Sequence, residues 1–213
     1  HTHRPQRQMR KRDRDTVMRI VSGSARGRRL FSPPSSTRPT TDRVREALFN
    51  SLDTLLEWDT TTVLDLYAGS GAVGLEAASR GAKAVTLVEK NGAAVASAER
   101  NKAVVDVPGV TMVRRSLQAF LAVQGNAETD AFTPYDLVFA DPPYTQVEED
   151  WPGILESLID NGWVADGSVI VLERSSRDAP TQWPEYYREY RSKKYGETRI
   201  DIAIVDNTGS LAA

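Results

Sequence analysis

The residues best placed to do chemistry in this chain fall in two motifs. The first runs Asp65-Leu-Tyr-Ala-Gly-Ser-Gly-Ala-Val-Gly74, in which Gly69, Gly71 and Gly74 form a Gly-x-Gly-x-x-Gly pattern, and Glu89 follows Gly69 by 20 residues. Glycines at a strand-to-helix turn let backbone approach a ligand closely, and a carboxylate at the end of the next strand can accept both hydroxyls of a ribose. NAD, FAD and S-adenosylmethionine all satisfy that description. Asp65 favours the last of them: a dinucleotide site usually carries a plain apolar strand there, whereas an acidic residue at that point organises the loop beside a methionine moiety.

The second motif is Asp136-Leu-Val-Phe-Ala-Asp-Pro-Pro-Tyr144. Pro142 and Pro143 restrict the backbone so that the Asp141 carboxylate and the Pro142 carbonyl can point into one small space. Neither donates a proton at neutral pH, so the pair suits a planar exocyclic amine. It would hold the two amine hydrogens and aim the nitrogen lone pair at an electrophile. Tyr144 then offers a ring on which a flipped base can stack. An Asp-Pro-Pro turn alone is a common loop; following the fourth strand of a sheet whose first strand carries the glycine loop, it becomes specific.

Composition narrows the remaining chemistry. The 213 residues contain no cysteine, which excludes disulfides, a thiolate nucleophile and Cys-based metal sites, and His1 and His3 are the only histidines. No metal is expected. No run approaches the roughly 18 apolar residues of a membrane span, so a cytoplasmic protein is expected. Residues 1–45 hold 13 Lys and Arg against three Asp and Glu, while the rest holds 14 against 26. A basic arm on an acidic body is the electrostatic footprint of a polyanion binder.

These motifs need elements to position them. Residues 1–17 show no apolar pattern and read as a disordered basic tail, with Met18 as a natural starting point. Residues 18–37 read as a basic β-ribbon built on Ile20-Val21 and Leu30-Phe31. It is either an edge hairpin over the core or, through Arg26, Arg28 and Arg29, a phosphate-contacting finger. From residue 38 to 213 the chain reads as one domain. It opens with a helix capped by Asp42 and running to Leu56. Strands are expected over 63–67, 84–89, 110–114, 136–140 and 168–173. Helices are expected over 71–80, 91–105, 117–123 and 150–161, giving a parallel α/β sheet covered on both faces. Residues 190–195 and 198–205 close it as an antiparallel pair. In such a sheet ligands bind beyond the carboxyl ends of the strands, which points to residues 68–74, 89–91, 115–117, 141–144 and 173–174. Trp58, Trp151, Trp163 and Trp183 read as core or edge aromatics. Tyr186, Tyr187 and Tyr190, between Arg188 and Arg191, fit RNA contact and amphipathic packing equally.

Asp-Pro-Pro-Tyr after a glycine loop resembles the amino-methyltransferases. About 70 residues separate Gly69 from Asp141 and about 70 follow Tyr144, which leaves no room for the target-recognition domain of restriction-type DNA methyltransferases. With Arg38-Pro-Thr-Thr-Asp-Arg-Val-Arg-Glu46, residues 65–82, Val88-Glu-Lys-Asn91 and Lys194-Tyr-Gly196, the chain resembles the RsmD family over residues 18–205. The resemblance implies a Rossmann-like class I S-adenosylmethionine-dependent methyltransferase fold. It also implies methylation of the N2 amine of a guanine in 16S ribosomal RNA by direct in-line transfer. Ala68, Gly69, Ser70, Gly71 and Gly74 would approach the methionine part of the cofactor with Asp65 beneath, and Glu89 would hold its ribose, flanked by Lys90 and Asn91. Ser116 stands where many relatives place an aspartate for the adenine amine, so Ser116 or the Leu117 backbone would supply that contact. Asp141, Pro142, Pro143 and Tyr144 would form the base pocket. Arg38 and Arg43, with Thr40 and Thr41, match a helix-opening segment that faces cofactor or substrate. The implied partner is 16S RNA or the small ribosomal subunit, met by a monomer. A DNA or RNA adenine-N6 methyltransferase, a non-catalytic RNA-binding ribosome assembly factor and a nicotinamide-dependent oxidoreductase are the rival readings; the last leaves Asp65 and the proline pair unexplained.

Overall fold

Continuous apolar runs such as Leu137-Val-Phe-Ala140 form strands buried on both faces, the mark of an internal parallel sheet. The computed structural model describes residues 18–32, 41–123, 133–142 and 150–207; the basic tail, Arg38, Thr40, Pro143 and Tyr144 lie outside these. The ribbon contributes β1 (Met18–Arg19) and β2 (Arg29–Leu30). Then come β3 (Thr62–Leu66), β4 (Ala84–Glu89), β5 (Val110–Arg114), β6 (Leu137–Ala140), β7 (Val169–Ser175), β8 (Tyr187–Tyr195) and β9 (Thr198–Val205). They make a seven-stranded sheet of order β5-β4-β3-β6-β7-β9-β8. The first five run parallel, while β9 is antiparallel to both β7 and β8. Strand order reverses at β3, which pairs with both β4 and β6, so the binding crevice is expected at the carboxyl ends of β3 and β6.

The helices are α1 (Asp42–Leu52), α2 (Ala72–Ser79), α3 (Gly92–Val105), α4 (Leu117–Ala122) and α5 (Trp151–Asp160). One face of the sheet packs Val63, Leu87, Phe139, Val171 and Ile202 against α1, α2, the end of α3 and the ribbon. The other packs Leu64, Leu66, Val138 and Ile170 against α4 and α5. Two expectations at α1 are corrected. Thr41, not Asp42, caps it, its side chain accepting from the Val44 amide at 3.3 Å. Asp42 instead pairs with the buried Arg45 and accepts from the Arg19 amide. The helix stops at Leu52, and Asp53 at its end accepts from the Trp58 indole and from Arg80. Leu55 and Leu56 reach the core from the turn that follows.

The first strand of the ribbon lies two residues earlier than expected, with Met18 opposite Leu30. The ribbon turn is bonded to the body: Glu76, wholly buried on α2, accepts the amides of Val21 and Ser22 at 2.9 and 3.1 Å, and Ser79 accepts the Ala25 amide at 3.0 Å. Met18, Ile20, Ala25 and Leu30 are buried in the core. The ribbon therefore covers apolar surface with one side and presents Arg26 and Arg29 to solvent with the other.

Candidate active site

The glycine loop leaves β3 and turns into α2 through Gly69 and Gly71, both at positive φ of 56° and 79°, which glycine adopts without steric cost. A Cβ on Gly69 would meet only Tyr67 O at 3.9 Å, so open space lies against the loop backbone there. Gly74 has the opposite surroundings. A Cβ there would come within 2.3 Å of Leu87 Cδ2, 3.0 Å of Val85 Cγ1 and 3.1 Å of Asp65 Oδ2, so this glycine is what lets α2 lie on the sheet. Asp65, 1% exposed, accepts the Gly74 amide at 3.0 Å and so ties strand to helix. Burial, only partly offset by that bond and reinforced by Glu89 and Glu173, pushes its carboxyl up to about 7.

Glu89 ends β4 with its carboxylate turned to backbone amides of Lys90, Asn91 and Gly69, the Lys90 bond measuring 2.9 Å. Loss of hydration raises its pKa, and the amide donors oppose that rise. Tyr67, Val88 and Leu117 line one cleft with Glu89, together with the exposed Lys90, Arg115 and Gln118. Asn91 and Ser116, each at the start of a helix beside the cleft, use their side chains as caps. Asn91 caps α3, accepting the Ala94 amide, and Ser116 caps α4, accepting the Ala119 amide. Leu117 enters the cleft as an apolar wall.

Across the switch point, Asp141 and Pro142 follow β6 and are partly exposed. Asp141 hydrogen-bonds the side chain of Glu173 on β7, which is 6% exposed. Loss of hydration, then the Glu173 charge and that bond, then Asp65, hold Asp141 well above the ordinary carboxylate range. Asp141 therefore stands against a second carboxyl rather than alone, and the bond to Glu173 fixes how it faces the crevice. By strand register Asp65, Glu89, Asp141 and Glu173 project from the same face, the one carrying Leu87, Phe139 and Val171.

The arginines of the ribbon do not join this cluster. The Arg28 guanidinium donates to the carbonyls of Val104 and Val105, so it caps the C-terminus of α3, where helix carbonyls lack partners. That end lies about 20 Å along the axis from Asn91, at 1.5 Å per residue. Arg26 and Arg29 remain exposed beside it, and Arg43 is exposed on α1.

Two residues escaped the motifs. Glu173 stood at an expected strand end without a role. Asn101, wholly buried on α3, donates to Ser70 O and to Phe31 O at 2.8 Å each and accepts the Phe31 amide at 2.7 Å, joining the glycine loop to the ribbon. Its signal was available: Ala94, Ala98, Asn101 and Val105 form the buried stripe of α3, and an amide there needs polar partners. Among the described residues no His, Cys, Asp and Glu cluster could hold a metal, and no helix is long and apolar enough to cross a membrane.

Comparison with known proteins identifies relatives of this chain. The family described as Conserved hypothetical protein 95 matches residues 18–204. The chain is 37% identical over 202 residues to ribosomal RNA small subunit methyltransferase D of Escherichia coli K12, covering 86% of this chain and 94% of that protein. The solved hypothetical protein TTHA0928 of Thermus thermophilus superposes with a TM-score of 0.71 at 32% identity, covering 89% of this chain and all of that one. A more distant structure, a mutant of MtNAS in complex with S-adenosylmethionine, shares the fold alone, at 12% identity, a TM-score of 0.56 and coverage of 76% and 61%.

Proposed function

The chain belongs to the RsmD family, and from that premise we propose that it methylates the exocyclic N2 amine of a guanine in 16S ribosomal RNA, in the cytoplasm, using S-adenosylmethionine. The observation that carries this reading is the placement of Asp141 and Pro142 at the end of β6, across the switch point from the glycine loop and Glu89. The residues suit the cofactor. Val88 and Leu117 offer apolar walls for a flat base beside Glu89, a carboxylate for ribose hydroxyls, and the backbone at Gly69 is open to close approach. When bound, this cofactor supplies an electrophilic methyl group.

The chain's own residues do the rest by placement. Glu89 orients the ribose, and Asp65 holds the turn from β3 into α2. Asp141 and the Pro142 carbonyl accept the two amine hydrogens, and Tyr144 stacks on the base. The hydrogen bond between Asp141 and Glu173 keeps Asp141 oriented, and the same pair offers a first destination for the proton that the methylated amine loses. Positioning of this kind supplies most of the acceleration. Arg26, Arg29, Arg38 and Arg43 contribute charge toward RNA, while Arg28 serves the helix.

Incubation with labelled S-adenosylmethionine and 16S RNA or small subunits from a strain lacking the modification, followed by nucleoside analysis, tests the reading. N2-methylguanosine is the expected product. Label on adenosine would move the enzyme to the adenine-N6 reading, and absence of label on either substrate would refute the assignment.

A further inference from the structure

The edge strand β8 carries Arg188, Arg191, Lys193 and Lys194 against a single acidic residue, Glu189, and all five are exposed. It stands out on a body that is acidic beyond residue 45. In a regular strand Arg188 and Arg191, three apart, would face opposite sides. Here the register slips between Glu189 and Arg191, so Arg188 lies opposite Ile204, Arg191 opposite Ile202 and Lys193 opposite Ile200. Those isoleucines alternate along β9 and point to one face, so the bulge at Tyr190 brings the three cations into one row, with successive same-face positions about 7 Å apart. Tyr190 itself is 45% exposed.

That face is the one from which Asp65, Glu89, Asp141 and Glu173 project. Ile200 is also the partner of Glu173, so Lys193, Ile200 and Glu173 lie in one line across β8, β9 and β7. Lys193 is then two strand spacings, about 10 Å, from the residue that touches Asp141. Lys194, opposite Arg199, faces the other side of the sheet. The ribbon arginines, in contrast, sit at the far ends of α2 and α3.

We propose that the row Arg188, Arg191 and Lys193 on β8 is a docking track for the ribose-phosphate strand of the RNA substrate, leading to the pocket at Asp141. The proposal rests on the methyltransferase reading for the identity of its ligand. Cations at regular intervals neutralise phosphates and release counterions, and the exposed Tyr190 ring gives a base a surface to stack on. Edge strands also carry lysines to discourage pairing with other chains, a role in which either face serves equally; within the row Arg191 donates to Ser51 Oγ of α1 at 2.8 Å, which anchors it, and the bulge sets Arg188 and Lys193 on the same face to either side of it.

Adjacent residues on opposite faces supply the test. Full-length wild type, Arg188→Glu, Lys193→Glu and Lys194→Glu are compared for binding to 16S RNA across a salt series, with S-adenosylmethionine binding and thermal melting alongside. Arg188→Glu and Lys193→Glu are expected to raise the RNA Kd about 5- to 10-fold and to lower the salt slope by about one. Lys194→Glu should stay within about twofold of wild type, and cofactor binding and melting should be unchanged in all three. Lys193→Glu and Lys194→Glu behaving alike would overturn the track, whether both weaken RNA equally or neither does. Wild type that binds this RNA without methylating it would refute the functional reading while the Lys193 and Lys194 comparison still decides the track; wild type that does not bind it would refute both.

Discussion

On the β3 and β4 side of the crevice the carboxylates are held by backbone amides, whereas on the β6 and β7 side they are held by each other. Asp65 takes the Gly74 amide and Glu89 takes those of Lys90, Asn91 and Gly69. Asp141 and Glu173 form a carboxyl pair across two strands. An amide-bound carboxylate is assembled by a short stretch of chain and stays put whatever its neighbour does. A carboxyl pair depends on a bond between two segments about 30 residues apart in sequence. The first arrangement suits binding a constant cofactor, the second suits a pocket where a proton must move.

This contrast can be broken experimentally, and the largest effect is expected at Asp141. Asp141→Ala should lower kcat by roughly 10²- to 10⁴-fold while S-adenosylmethionine still binds, since positioned polar groups contribute about that much. Glu89→Ala should do the reverse, weakening cofactor binding about 10- to 100-fold through loss of charged hydrogen bonds. Calorimetric binding with single-turnover rates separates the two, and equal loss of cofactor affinity in both variants would erase the division.

A pH dependence sharpens the comparison next. Asp65 has its folded pKa raised from 3.8 to about 7, so between those values the folded protein binds more protons than the unfolded one. Its contribution to stability is therefore full below about pH 4 and declines as pH rises toward 7, by at most about 4 kcal/mol at 1.36 kcal/mol per pH unit. Asp65→Asn, which keeps an acceptor for the Gly74 amide, should flatten the decline in melting temperature of the ligand-free protein over that range. Parallel melting curves for the two proteins would show that Asp65 is not the group responsible.

The smallest effect concerns the glycines. Gly74→Ala places a methyl against Leu87, Val85 and Asp65 and should cost about 1–3 kcal/mol of stability by overpacking. Gly69→Ala has room but an unfavourable φ and should cost about 1 kcal/mol. Melting temperatures that fall equally would mean that helix-to-sheet packing at Gly74 is looser than its contacts indicate.

Much of this architecture was legible in the residues. The alternation of apolar runs with helical periods placed β4 and β5 to the residue, because strand and helix periods are set by neighbouring residues. What misled was local chemistry with two solutions. Thr41 and Asp42 are both capping residues, and only the pull of Arg45 on Asp42 decided between them. Arg28 looked like its neighbours until the carbonyls ending α3 claimed it.

The sequence by itself determined the parallel sheet, the glycine loop and the Asp141-Pro142-Pro143 motif, since strand alternation and turn residues act over short spans of chain. Only the tertiary structure decided that Glu173 meets Asp141, that Asn101 joins Ser70 to Phe31, and that a bulge at Tyr190 aligns three cations on the crevice side. Each of these depends on strand register or helix packing between distant segments, and such contacts exist only once burial of the shared core has set which residues lie opposite one another.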